Sequence, residues 1–161
     1  MIFPQKSNSM LFNKDKKTAG LTLAELMIAA LILGVVLVGI LASYIACLDL
    51  NELSRNASIA INLGQTKLEE IKNHTYALIE TDYNNVPFNI AGLTGMGVSY
   101  VDDTNPDLLM VTVTVCWRQK NGRIVGEDTN LNGQLDSGED TIDPNGRLDS
   151  LAQVVTYIAR H

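Results

Sequence analysis

Histidine and cysteine are nearly missing: the 161-residue chain has two of each. His74 and His161 are isolated, no serine, histidine and acid fall into a nucleophile-and-base spacing, and there is no glycine-rich phosphate loop. An enzyme is therefore not expected. Cys47 ends an apolar run and Cys116 lies in an expected strand, so joining them would need close approach of distant segments. Neither thiol is assigned a redox or metal role. Positive charge is also scarce beyond the N-terminus. Residues 1–20 hold four Lys and one Asp, and removing that +3 from the formal −6 leaves −9. A body this acidic is a poor partner for a phosphate backbone, so direct nucleic-acid binding is not expected.

Charge of either sign is absent from Leu26 to Leu48. At 1.5 Å per residue such a run crosses a hydrocarbon core of about 30 Å. Gly34 and Gly39 soften the helix without breaking it. Lys14, Lys16 and Lys17 precede the run, which predicts a cytoplasmic N-terminus with the remainder outside. Glu25 is a lone carboxylate at the mouth of this segment. A carboxylate in hydrocarbon commonly costs a few kcal/mol and needs a partner charge, which favours assembly. The remaining length suits one small globular domain of roughly 80–110 residues.

A secretory signal would be shorter, with small-x-small cleavage residues better placed. A lipoprotein signal is suggested by Ala46-Cys47, but Tyr44 and Ile45 occupy the positions that should be Leu and a small residue. A plain signal-anchor is the third alternative. Against these stands Gly20-Leu21-Thr22-Leu23-Ala24-Glu25-Leu26, which resembles the cleavage and methylation motif of type IV prepilins and type II secretion pseudopilins. The resemblance implies cleavage between Gly20 and Leu21 by a prepilin peptidase and N-methylation of the new Leu21 amine. It also implies assembly with other pilin subunits through the N-terminal helix, on an inner-membrane platform. Leu21 departs from the commoner Phe, which bears on methylation more than on cleavage. Glu25 would pair with the freed ammonium of a neighbouring subunit and set the axial register.

Helical spacing continues beyond the apolar run through Leu53, Ala57, Ala60, Gly64, Leu68 and Ile71, predicting one helix from about Leu21 to Asn73. Asn84-Asn85, Pro87, Gly92, Gly95 and Gly97 read as a loop-rich connector. Strands are expected at Val98–Val101, Leu108–Arg118, Arg123–Gly126 and Leu151–Ala159, with turns at Asn105-Pro106-Asp107 and Asn121-Gly122. The expected class is α+β: a long N-terminal helix, transmembrane and then amphipathic, packed on a small antiparallel sheet of three or four strands. The alternating strand and the C-terminal VVTYIA resemble the minor pilins more weakly. The implied division is a leader over 1–20, a transmembrane and polymerisation helix over 21–50 and a head over 51–161.

An acidic insert at 127–149 carries seven acids against Arg147 alone. Its spacing matches a twelve-residue calcium loop, with Asp128 at position 1, Asn130 at 3, Asn132 at 5, Gly133 at 6, Asp136 at 9 and Glu139 at 12. The Gln134 carbonyl would supply position 7. A partial repeat follows with Asp140, Asp143, Asn145, Gly146 and Asp149. Its position-12 slot is Ala152, so Asp140 or Glu139 would have to be borrowed. The tandem resembles the calcium repeats of dockerins and thrombospondin type 3 segments. Ca2+ is thus expected at one complete and one partial loop, ordering the segment and tying the hairpin strand to the last strand; a solvated acidic loop is the alternative. Three functions are compatible with these features: a minor pilin in a surface fibre, a secretion pseudopilin, or a membrane-anchored calcium-binding adhesion module that never polymerises.

Overall fold

Thr22 opens the first helix. Its Oγ1 accepts the Glu25 N–H at 3.3 Å and its carbonyl accepts the Leu26 N–H at 3.2 Å. Thr22 and Glu25 thus stand at the two positions of a capping box, and Glu25 lies in the first turn, where the helix dipole favours an anion. Helix α1 spans Leu23–Lys72 in the computed structural model, which describes residues 22–105 and 107–160. The chain forms two compact units, Met1–Ser43 and Tyr44–His161.

From Leu23 to Leu50 every large apolar side chain is at least half exposed. The helix is long and apolar enough there to cross a membrane. Farther along, Asn56, Ala60, Gly64, Leu68 and Ile71 are buried against a sheet. A short helix α2 (Tyr76–Tyr83) follows, then strands β1 (Val86–Asn89), β2 (Thr94–Asp102), β3 (Leu108–Arg118), β4 (Ile124–Val125) and β5 (Ala152–Ala159).

All strand pairs are antiparallel, and β3 is the centre. It pairs with β2 along one side. On the other it pairs with β5 through Leu108–Val115 and with β4 at Trp117 and Arg118. The register puts Leu109, Val111, Val113, Val115 and Trp117 on the face that meets α1. Trp117 is fully buried there, as core packing predicts. The Asn121-Gly122 signal closes a three-residue hairpin loop: Gln119 N–H donates to the Arg123 carbonyl at 2.8 Å, and Gly122 takes φ 85°. Of the other expected turn, Asn105 and Asp107 are seen as an Asx turn at 3.1 Å, and Pro106 lies outside the described residues.

The α+β architecture is as expected, with one correction. The connector holds α2 and β1, and Gly95 and Gly97 belong to β2, so the sheet has five strands. Both glycines permit close approach, not a loop. A Cβ on Gly97 would lie 2.2 Å from Cζ of Phe88, and one on Gly95 would lie 2.1 Å from the Cys116 carbonyl oxygen. The opposite sheet face is covered too. Val98, Tyr100, Thr112, Thr114 and Cys116 are buried, and Leu148 and Leu135 of the acidic insert pack with Val98 and Tyr100. The insert is a third layer over β2 and β3, which is why β3 is buried along both faces.

The helix comes close to the sheet at Gly64, where an added Cβ would lie 2.8 Å from Cγ2 of Val154. Gly64→Leu should therefore destabilise the head by about 1–3 kcal/mol through overpacking. Gly34→Leu, with nothing within 4 Å, should leave the head's denaturation midpoint unchanged. Chemical denaturation of the two variants checks this.

Candidate functional site

The insert is ordered by its own carboxylates. Asp128, 1% exposed, accepts the N–H of Asn132 at 3.1 Å and of Gly133 at 2.7 Å. Gly133 takes φ 72°, the left-handed turn that position 6 requires. Asn130 and Asn132 accept the N–H two residues on, at 2.9 and 2.7 Å, through Oδ1. Their amides converge on Oδ2 of Asp136, at 2.7 and 2.9 Å. Glu139, 4% exposed, reaches back: Oε1 accepts the Thr129 N–H and Oγ1 at 2.8 and 2.6 Å, and Oε2 accepts the Asp136 N–H at 3.0 Å. The structure thus brings Asp128, Asn130, Asn132, Asp136 and Glu139 into one loop. Gln134 follows the turn as the register required.

The second loop repeats the arrangement. Asp140 accepts the N–H of Asn145 at 3.2 Å and of Gly146 at 2.9 Å, and Gly146 takes φ 76°. Asn145 accepts the Arg147 N–H at 2.9 Å, and its amide lies 3.4 Å from both Asp143 and Asp149. The extra residue of this repeat falls between Thr141 and Asn145 and leaves the turn intact.

Glu127 closes the hydrogen bonding of this second loop. Its Oε1 accepts the Thr141 N–H at 2.7 Å, the Thr141 Oγ1 at 3.3 Å and the Ile142 N–H. Its Oε2 accepts the Asp149 N–H at 2.9 Å. These are the bonds Glu139 makes to Thr129 and Asp136, moved one repeat along. Backbone pairs match as well: Glu127 N–H donates to Asp149 carbonyl at 2.9 Å, and Glu139 N–H to Asp136 carbonyl at 3.2 Å. Each loop is therefore closed by the glutamate at the start of the other, which makes the two a reciprocal pair. The signal was in the chain: Gly-Glu-Asp-Thr occurs at Gly126 and again at Gly138, and each copy runs on to Asn-Gly-x-Leu-Asp-Ser.

The donor chemistry suits a hard cation. Every candidate side-chain ligand is an oxygen, and each Asn Oδ1 bonded to a backbone N–H keeps a second lone pair. Among the described residues, no three His, Cys, Asp or Glu side chains converge as a metal cluster. The acids face backbone and side-chain N–H and hydroxyl donors instead, with asparagine amides between them.

Burial alone would push Glu127 up, but the N–H groups of Ile142, Asp149 and Thr141 hold its carboxyl below the usual 4.5. Glu139 follows the same pattern: burial opposes, and Thr129 and the Asp136 N–H win. A depressed carboxyl supports the fold above its ordinary value and loses that support as pH falls through the lowered one. Asp149, pushed up chiefly by burial and also by Glu127 and Asp143, has the opposite sign: its cost appears as pH rises past 3.8. In calcium-free buffer, the melting temperature should fall as pH drops below the usual 4.5, and Glu127→Gln should flatten that fall. Thermal scans across this range are the check.

The two cysteines are free. Burial pushes the Cys116 thiol up to about 11, so it is inert at neutral pH.

The other set of expected residues is N-terminal. Gly20 and Leu21 lie outside the described residues. Glu25 sits in the first turn of α1, exposed, at the head of the apolar stretch. Residues 15–41 match the family model of the prokaryotic N-terminal methylation motif. The methylation motif includes Gly20, Leu21 and Glu25 and ends within the apolar stretch. No curated protein and no solved structure matches the chain.

Proposed function

We propose that the chain is the precursor of a minor type IV pilin whose head is held together by calcium. The match to the methylation motif, placed where an apolar helix begins with one carboxylate, is the observation that carries this reading. Prepilin peptidase cuts between Gly20 and Leu21 at the cytoplasmic face of the inner membrane. The new amine is methylated. The freed subunit then leaves the bilayer through the assembly platform and joins other pilins in a periplasmic and surface fibre. In the fibre the Leu21 ammonium of one subunit meets Glu25 of the next, so neither charge stays unpaired in an apolar core.

Calcium would be held in the first loop by Asp128, Asn130, Asn132, Asp136, Glu139 and the Gln134 carbonyl. In the second it would be held by Asp140, Asp143, Asn145 and Asp149, with Glu127 as the closing acid. Bound calcium supplies charge neutralisation to a segment carrying −6. The insert covers the outer sheet face, so the metal contributes to the core of the head and not merely to a surface loop.

Mass spectrometry of the mature protein tests the proposal. The expected product begins at Leu21, carries one methyl group and is recovered from sheared surface filaments. Retention of residues 1–20 would overturn the fibre reading and leave a membrane-anchored calcium module. Correct processing, with the protein kept in the envelope and exoprotein release failing on its deletion, would assign it instead to a secretion pseudopilus.

A further inference from the structure

A second polar site lies at the other end of the β3–β4 hairpin, formed by α1, the start of β2 and the turn after β3. It is a pocket of about 270 Å3 whose lining includes Glu52, Arg55, Asn56, Arg118, Gln119 and Lys120. Asn56 and Gln119 are 8% and 6% exposed, yet neither side-chain amide has a hydrogen-bond partner among the described residues. Both residues line the pocket, so their amides are open to whatever fills it, water included. The charges around them are positive and unspent. Arg55 and Arg118 take part in none of the ion pairs among the described residues, which are Lys67–Glu70, His74–Asp82 and Arg147–Asp102. Glu52, the one acid in the lining, accepts the Lys120 backbone N–H at 2.9 Å. Counting Arg55, Arg118 and Lys120 against Glu52, a local excess of two positive charges surrounds two amides that no protein group engages, in a chain whose net charge is −6.

We propose that this pocket binds a carboxylate, taken either from a small organic acid or from an acidic side chain of another polypeptide. A planar guanidinium fork matches a carboxylate in two parallel bonds, and Arg55 and Arg118 bring two such forks to the rim. Asn56 and Gln119 supply donors and acceptors to the atoms next to the acid. The volume admits one side chain or a molecule of that size, smaller than a drug-like ligand. None of this depends on the pilin reading or on the calcium loops.

Side-chain amide NMR of the full-length protein in detergent micelles tests the site directly. The probes are succinate, the peptide acetyl-Ala-Glu-Ala-amide and its neutral glutamine counterpart. The Asn56 and Gln119 side-chain amide signals should shift and saturate below about 5 mM acid, as two charge-assisted contacts allow. Arg118→Ala should weaken binding about tenfold, and, being on the exposed rim, should leave the rest of the spectrum in place. Saturation with succinate alone assigns a free acid, and saturation with the glutamate peptide assigns a protein-borne one. No saturable shift with either acid, an equal shift from the glutamine peptide, or unchanged binding in Arg118→Ala would each overturn the proposal.

Discussion

Glu127→Ala is expected to lower the melting temperature of the calcium-loaded protein by roughly 10–15 °C, the shift that a loss of about 3–5 kcal/mol gives in a head of this size. The substitution removes one buried carboxylate and strands its donors: the N–H groups of Thr141, Ile142 and Asp149 and the Thr141 hydroxyl. Each buried donor left without a partner costs about 1–3 kcal/mol, partly relieved where the loop can open to water. Calcium adds to this. With free calcium at a hundred times its dissociation constant, each occupied loop contributes about 2.7 kcal/mol, and the variant loses the second loop's share. Glu139→Ala should behave alike through the first loop. Isothermal titration separates the two contributions: wild type should bind two ions and each variant one. A flat titration of wild type, with a melting temperature unmoved by chelator, would reduce both glutamates to backbone clamps and end the calcium proposal. The damage should also spread beyond the insert. Leu148 and Leu135 rest on Val98 and Tyr100, and the Tyr100 hydroxyl accepts the Leu148 N–H at 2.9 Å, so loosening the loops uncovers the outer face of β2 and β3.

What could be read from the sequence was local. The Gly20–Glu25 motif, the uncharged run and the α1 stripe are patterns within one helix, and the first loop places all its candidate ligands within twelve residues. What escaped depended on distant partners. Gly95 and Gly97 look like loop residues until Phe88 and Trp117 pack against them. Val98, Tyr100 and Cys116 alternate with the helix-facing positions of their strands, and their burial depends on the distant insert that covers them. Glu127 was missed for a different reason. A calcium loop is scanned forward from its first acid, and the acid that closes the second loop precedes the first. Position 12 of the second repeat falls on Ala152, while the repeated Gly-Glu-Asp-Thr marks Glu127 and Glu139 as equivalents.

Glu25→Ala is expected to reduce recovery of the protein in sheared filaments by roughly a hundredfold, while its level in the inner membrane stays unchanged. The two outcomes separate because the carboxylate has two environments. In the monomer it stands exposed in the first turn of α1 beside Thr22, where the helix N-terminus already favours an anion, and α1 beyond it keeps an uncharged face for the bilayer. Removing the charge there costs little, and it lightens the burden of insertion. In the proposed fibre the same carboxylate meets a buried ammonium at Leu21 of the next subunit. Truncating one member of a buried pair leaves the other uncompensated, at about 3–5 kcal/mol, which corresponds to a factor of about 150 to a few thousand in the assembly equilibrium. Glu25→Gln distinguishes charge from shape. It retains the side-chain length and hydrogen-bonding capacity without the charge, so it should assemble almost as poorly as alanine if ion pairing carries the register. Recovery of either variant at wild-type levels would mean that the subunits are held by apolar helix packing alone, with Glu25 retained only for helix capping or for recognition by the processing enzyme. The methylation state of the membrane-bound variant decides between those last two.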